Sequence, residues 1–353
     1  MDLLLRLGPP VASLSVSVAM ATFNGAAYLE DQLADLSRQS ILPSELVVCD
    51  DGSTDETLTI LERFAHEAPF PVLIHRNSER LGYRANFVKC AGLCRAELIA
   101  FCDQDDRWTS EKIERMLQCF QDDDVLLGFH GAEIISSEAS LGFLTSIPRP
   151  HGVSPPLSGS PWTFALGFSQ VFRAWLRDFD EWWPLSLDHH APEPLAHDQW
   201  YFFLASTLGS IAHVQEPLVR YRQHDANAFG WPQRTPGFRD RIRSSGSSLA
   251  RRARAASQRA IILELVADRL PQPFRQRAVE GSLFYRRLAE LSDLRSTMHS
   301  CANFIGRVRS FAVLVNAHGY GAEPWQFGID ALALDLLIAL PLGTPTSGEV
   351  MKL

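Results

Sequence analysis

The sequence predicts an α/β fold, a parallel sheet covered by helices on both faces, followed by a helical extension. Three observations carry that reading. Between Leu14 and Phe120, strand-like runs alternate with helical periodicities. Three polar clusters, Thr22-Phe23-Asn24, Asp50-Asp51-Gly52 and Asp103-Gln104-Asp105-Asp106, fall at the carboxyl ends of expected strands, the edge where such sheets place their ligands. Past Gly230 the texture turns to Pro, Gly, Ser and Arg, and then to helical segments.

Leu14 to Met20 alternates apolar and small residues with the period of a strand, and Thr22-Phe23-Asn24-Gly25 supplies turn chemistry. Leu29, Leu33 and Leu36 then follow at helical spacing. Glu45 to Cys49 is a second strand, and Ser53 with Glu56 has the spacing of a capping box ahead of the stripe Leu58, Leu61, Phe64. Val72 to Ile74 predicts a third strand, Phe87 to Cys94 a third helix, Leu98 to Cys102 a fourth strand, and Ser110 to Phe120 a further helix. From Val125 to Tyr221 the pattern is mixed, with Pro-rich turns between Ile147 and Pro156 and a strand-like run from Ala212 to Val219. A boundary falls near residue 232, with helices expected over Ser257 to Leu270 and Gly281 to Leu294.

With 353 residues, 46% hydrophobic and 21% charged, the chain is a folded protein of one large domain with an accessory piece, or of two domains. Disorder, collagen and small disulfide scaffolds are excluded. The net charge of −8 is unevenly spread: residues 1–230 sum to −15, and residues 231–310, whose cations are all Arg, to +10. Such a positive segment suits an anionic lipid surface or a phosphate-bearing acceptor, and equally a solvated helix face. The six cysteines form no CxxC pair and read as buried thiols in a reducing compartment. No signal peptide is evident at the N-terminus, and the apolar run Ala331 to Leu342, interrupted by Asp335, is too short to span a bilayer.

Asp103, Asp105 and Asp106 crowd three carboxylates beyond a strand, a pattern that suits a hard divalent ion with substrate phosphates, or an acidic turn capping the next helix. Asp50-Asp51-Gly52-Ser53 fits either a carboxylate facing a nucleobase or ribose, or a helix N-terminus. His197-Asp198 heads an aromatic helix; a carboxylate against aromatics gains proton affinity and can serve as general base, while an N-cap is the plainer reading. Arg222 and His224 could grip a phosphate or a metal.

Taken in order, these motifs resemble the family 2 glycosyltransferases of the GT-A fold, the bacterial rhamnosyltransferase-like branch in particular. The residues that carry the resemblance are Val16 to Gly25, Cys49 to Asp55, Leu81-Gly82-Tyr83-Arg84-Ala85-Asn86-Phe87, Phe101 to Trp108, His197-Asp198-Gln199-Trp200 and Glu216 to His224. Together they cover residues 13–230.

The resemblance implies a GT-A (Rossmann-like), mainly parallel sheet over residues 1–232, with a nucleotide-binding half at 13–125 and an acceptor half at 126–232. Residues 233–353 form the helical, Arg-rich extension. It also implies roles. Asp51 binds the nucleobase, with Thr22 and Asn24 lining the pocket and Asp50 supporting it. Asp103 and Asp105 are the DXD pair for Mg²⁺ or Mn²⁺, and Asp106 lies by the ribose and donor sugar. Gly82 and Asn86 belong to the donor pocket. Asp198 is the base of an inverting transfer, and His224 and Arg222 reach the metal-bound diphosphate from the far side.

The implied partners are a nucleotide-sugar donor, dTDP-rhamnose before UDP-sugars, and a saccharide or lipid-linked saccharide acceptor, with no nucleic acid. The expected location is cytoplasmic, with peripheral contact at an anionic inner membrane as an extension. Phe23 and Gln199 depart from the family's usual aromatic choices, and Gly167 to Arg173 matches its small-residue loop only loosely. The competing readings are a sugar nucleotidyltransferase, which wants a cation in the first Gly-bearing loop, and an inactive carbohydrate-binding homologue. An Asp-nucleophile phosphotransferase needs Thr or Val where Arg107 stands.

Overall fold

Strand β1 (Val16–Thr22) is buried at every position but Ala21, as a strand covered on both faces must be. In the computed structural model, which describes residues 14–136, 139–144, 151–224 and 238–339, the chain divides into two compact units. The first comprises 1–158, 162–184 and 195–233, and the second 159–161, 185–194 and 234–353. The expected boundary near 232, the N-terminal segment 1–13, residues 145–150 of the Pro-rich turns and the end of the last apolar run lie outside the described residues.

In the first unit β1 leads to α1 (Ala26–Ser37), β2 (Glu45–Asp50), α2 (Thr57–Glu67), β3 (Val72–Arg76), α3 (Gly82–Leu93) and β4 (Leu98–Asp103). After the acidic turn come β5 (Arg107–Trp108), α4 (Lys112–Leu117), β6 (Val125–Ser136), β7 (Ala139–Leu144) and β8 (Gly152–Ser154). Then follow β9 (Gln170–Arg173), α5 (His197–Leu208) and β10 (Ser210–Arg222). The sheet order is β3-β2-β1-β4-β9-β6-β10-β5, with β7 on β6 and β8 on β10.

The half from β3 to β4 is parallel, as expected. The other half is mixed, because β9 runs against both β4 and β6. Register positions the site: Thr22 pairs with Asp50, and Ala21 with Asp103, so three polar loops leave one edge together. The two-residue β5 lies antiparallel on β10, Val219 facing Trp108, which carries the end of β10 to the acidic turn.

Several expected boundaries move. The capping box at Ser53 does not form: α2 starts at Thr57, whose N–H donates to Asp55 Oδ1 (3.1 Å). The third helix begins at Gly82 rather than Phe87, and the fourth ends at Leu117, passing into a 3-10 turn. Neither acidic cluster caps the helix that follows it, since α2 and α4 are preceded by Glu56 and Glu111.

The second unit is helical: α6 (Phe238–Ala267), α7 (Phe274–Ser300), α8 (Phe304–Asn316) and α9 (Ile329–Ala339). Asp335, fully buried, accepts hydrogen bonds from Arg295 (2.7 and 3.0 Å), His299 (2.7 Å) and the Tyr320 hydroxyl (2.6 Å). The charge that interrupts the last apolar run therefore points inward, while Ile329, Leu336 and Leu337 stay exposed. The basic segment is not simply a solvated face: Arg259 is buried and Arg251 donates to the His189 carbonyl. The side chains of Arg239, Arg241 and Arg243 lie outside the described residues. Among the described residues, no helix is long and apolar enough to cross a membrane.

Candidate active site

Asp50 and Asp51 are adjacent in sequence and do different work. Asp50, fully buried, accepts from Thr22 Oγ1 (3.0 Å) and from the amides of Gly52 (3.1 Å) and Ser53 (2.9 Å), locking the β1 and β2 loops together. Gly52, at φ +86°, supplies the turn that lets those amides face the carboxylate. Asn24, itself at φ +48°, donates its amide to Ser53 Oγ and accepts from Thr54 N (2.8 Å).

Asp51 reaches across to α3. Its carboxylate accepts from Leu81 N (2.7 Å), Gly82 N (2.8 Å) and Asn77 Nδ2 (2.9 Å), so it caps α3 rather than α2. Asn77 also donates to Asn86 Oδ1 (2.8 Å) and accepts from Lys89 Nζ (2.7 Å), while Asn86 donates to the Cys49 carbonyl (2.8 Å). Asp51, Gly82 and Asn86 thus form one hydrogen-bonded unit. Beside it opens a cleft of 560 Å³ lined by Phe23, Asp51, Gly52, Asn77 and the Arg76–Arg80 turn, with the Arg80 guanidinium 3.8 Å above the Phe23 ring.

The acidic turn is gripped from both sides. Gln104 Nε2 donates to Phe23 O (3.1 Å), and Gln104 Oε1 accepts from Phe23 N (2.9 Å), an amide posing as a neighbouring strand. Gly25 leaves room for it, since a Cβ there would stand 2.2 Å from Gln104 Oε1. From β10, Arg222 N donates to Asp106 Oδ1 (3.1 Å), and His224 Nε2 lies 2.7 Å from Asp105 Oδ2. Tyr28 of α1 backs both residues, stacked on the His224 ring at 4.6 Å and 4.8 Å from the Arg222 guanidinium, which also meets Asp31 (3.1 Å).

Burial, then Asp105 and Asp198, push the Asp103 carboxyl up to about 7. Burial and the charges of Asp105 and Asp103 raise Asp106 well above its ordinary range. Asp106 Oδ2 is buried without a hydrogen-bond partner. Among the described residues no three His, Cys, Asp or Glu side chains converge as a metal-holding group. A divalent ion nevertheless fits what is there: crowded hard oxygen donors held above their ordinary proton affinity, one of them orphaned, and a carboxylate–imidazole pair at one rim. Mg²⁺ needs only one or two protein carboxylates when phosphates complete its shell.

Asp198 occupies the second position of α5, not its cap. Its Oδ1 accepts from Gln199 N (2.8 Å), and the Gln199 and Gly167 amides act to lower its proton affinity. Burial is nevertheless the larger influence and brings the carboxyl up to about 7. Its neighbour His197 is stacked on Phe87 at 4.0 Å, and burial followed by the nearby Arg84 charge drops its affinity to about 3, so it is neutral. Asp180 holds the same helix, accepting from Trp200 Nε1 (2.8 Å) and Tyr201 OH (2.7 Å).

Thr22, Asn24, Asp50 and Asp51 therefore meet at one end of the edge, and Asp103, Asp105, Asp106, Arg222 and His224 at the other. The Asp198 charge acts to raise the proton affinity of Asp103. Sequence reasoning missed Tyr28, Asn77, Gln104, Lys112 and Asp180. Gln104, between two motif carboxylates, carried a positional signal; Tyr28 sits in a pattern that reads as ordinary helix, and Asp180 in a mixed, aromatic-rich stretch.

Residues 17–142 match the sequence profile of "Glycosyl transferase family 2". Among curated relatives, an uncharacterized glycosyltransferase of Nostoc sp. is 26% identical over 231 residues, 61% of this chain and 66% of that protein. The dTDP-rhamnosyl transferase RfbG of Shigella flexneri is 27% identical over 222 residues, 60% of this chain and 73% of that one. The chain thus spans just under two thirds of the first relative's length and somewhat more of the second's. Among solved structures, Staphylococcus aureus TarS 1–349 superposes with a TM-score of 0.50 at 14% identity, over 86% of this chain and 87% of that one, a likeness of fold. The same S. aureus protein in complex with UDP-GlcNAc gives 0.50 over 91% of its chain. Over residues 17–142 the chain thus matches the glycosyl transferase family 2 profile, and its fold is like that of TarS.

Proposed function

We propose that this protein is an inverting glycosyltransferase that moves a sugar from a nucleoside-diphosphate donor to a hydroxyl of a growing cell-surface glycan. The observation that carries the proposal is a carboxyl, Asp198, buried at the head of α5 and held by Gln199 N, with burial raising it to about 7. A hydroxyl is a poor nucleophile at neutral pH, and a base whose affinity lies near the working pH removes its proton as it attacks the anomeric carbon. One displacement breaks the bond to the diphosphate and inverts that carbon, and no covalent enzyme intermediate is needed.

In this reading Asp51, with Thr22, Asn24 and Asp50 behind it, receives the nucleobase at the cleft, where Gly82 and Asn86 complete the wall. Asp103 and Asp106 face the ribose and donor sugar. Asp103, Asp105 and His224 would hold Mg²⁺ or Mn²⁺ together with the donor's phosphates, and the ion would supply Lewis-acid neutralisation of the departing diphosphate. Arg222, braced by Tyr28 and Asp31, adds a cation on that side.

The likeness to a dTDP-rhamnosyl transferase supports dTDP-rhamnose as donor, and the UDP-GlcNAc complex of the TarS fold neighbour makes UDP-sugars the next choice. The acceptor is a saccharide or a lipid-linked saccharide. The excess of Arg in residues 231–310 supports a cytoplasmic protein with peripheral contact to an anionic membrane. Flotation with anionic vesicles at low salt tests that contact, and the absence of binding refutes it. The test of the central reading is Asp198→Asn: donor binding is retained and transfer is lost, whereas unchanged transfer removes Asp198 from the chemistry.

A further inference from the structure

Lys112 is the cation the site description leaves over. It lies on α4 at 1% exposure, its Nζ donating to the Phe168 carbonyl (2.7 Å) and standing 3.4 Å from the centre of the Trp108 ring. A buried ammonium is costly unless its partners require it. Burial lowers its proton affinity to about 7, while Cys102, Asp106 and Asp103 act to raise it. What it holds is informative. Phe168 belongs to the short turn Gly167–Ser169, and that turn is bound to the start of α5 by several ties.

The Gly167 amide acts to lower the proton affinity of the Asp198 carboxyl. Gln170 Nε2 spans from Ala165 O (2.6 Å) to Asp198 O (3.0 Å). Gly167 packs so close to His197 that a Cβ would stand 2.6 Å from Nε2. The Phe168 ring stacks on Tyr221 at 4.9 Å, one residue before Arg222. A continuous line of contacts therefore runs from Trp108, behind the acidic turn, through Lys112 and the Phe168 carbonyl to the turn that Gln170 ties to the Asp198 backbone.

We infer that Lys112 is a positioning residue: by holding the Phe168 carbonyl it fixes the turn that packs on His197 and that Gln170 ties to the Asp198 backbone, and so holds the Asp198 carboxylate, at the start of α5, in place relative to the donor-side acidic turn. The inference rests on the reading of Asp198 as base. An apolar side chain of similar length fills the same space and leaves the carbonyl unbonded. An arginine keeps a donor for it.

The test uses the full chain with K112M, K112R and D198N. Two quantities are read: nucleoside diphosphate release from dTDP-rhamnose, or from the UDP-sugar giving the fastest release, and amide hydrogen exchange over residues 165–170. K112M is expected to lower the kcat for release at least tenfold with donor KM within twofold, and to speed exchange of those amides at least tenfold. K112R restores both. Unchanged exchange in K112M, or a rise in KM without loss of kcat, overturns the inference. Should K112M fail to fold, K112R decides alone: native exchange with retained kcat supports the tie, and loosened exchange with retained kcat overturns the coupling. If D198N releases product as fast as the native chain, the base reading fails on its own. In that case exchange in K112M still decides whether Lys112 holds the turn.

Discussion

Replacing Asp198 by Asn is expected to make the protein more stable while abolishing transfer. Burial raises the carboxyl from an ordinary 3.8 to about 7. The unfolded chain therefore ionises this group as pH rises through about 4, whereas the folded chain holds its proton until about 7. Across that window the folded state binds more protons, so stability falls as pH rises, and the penalty is complete above 7. Three pH units correspond to about 4 kcal/mol. An Asn amide is a weaker acceptor than a carboxylate for Gln199 N and adds an NH₂ that needs a partner, which takes back about 1–2 kcal/mol. The net gain at pH 8 is about 2–3 kcal/mol, or roughly 5–10 °C in Tm for a unit of this size. Thermal unfolding of both proteins from pH 4 to pH 8 is the assay. The Tm difference should be near zero or slightly negative at pH 4 and should grow with pH. A difference that does not change with pH would show that the Asp198 carboxyl is not held above its ordinary range, and the argument for a base poised near neutrality would fall with it.

Other outcomes follow from the same contacts. The rate of transfer should rise with pH through about 7 as Asp198 loses its proton, a limb absent from the residual rate of Asp198→Asn. Asp105→Ala should weaken Mn²⁺-dependent binding of the nucleoside diphosphate at least tenfold in calorimetry, with little effect on metal-free binding. Gly167→Ala places a methyl 2.6 Å from His197 Nε2 and should cost about 1–3 kcal/mol in denaturant unfolding. Asp51→Ala removes the acceptor of three hydrogen bonds and should lower stability as well as donor affinity, whereas Asp51→Asn should recover part of the stability.

The parallel half of the sheet was legible because each strand is a short apolar run ending in a polar loop, and the loops carry the motif residues. β9 was not legible: Gln170-Val171-Phe172-Arg173 is four residues long and follows a turn, so no periodicity distinguishes it from a loop. Its antiparallel insertion is what brings the Gly167–Ser169 turn to the acidic edge. The start of α3 was missed because Gly82, at φ +77°, reads as a turn, and its amide is satisfied by a carboxylate 31 residues earlier.

Lysine usage held a signal that composition alone obscured. In a chain with only Lys89, Lys112 and Lys352, the first reaches Asn77 from an exposed position and the second, buried, reaches the Phe168 carbonyl. Tyr28 and Asp31 gave no such signal. They face Arg222 only because β5 draws β10 to the acidic turn, and that pairing involves two residues.

The most direct test of the central claim is nucleoside diphosphate release from a panel of sugar nucleotides, with and without Mg²⁺ or Mn²⁺, using Asp105→Ala as control. Metal-dependent release from one donor, dTDP-rhamnose first, that disappears in the variant is the predicted result. Metal-independent release unaffected by Asp105→Ala, or no binding of any sugar nucleotide in the presence of either ion, would contradict it.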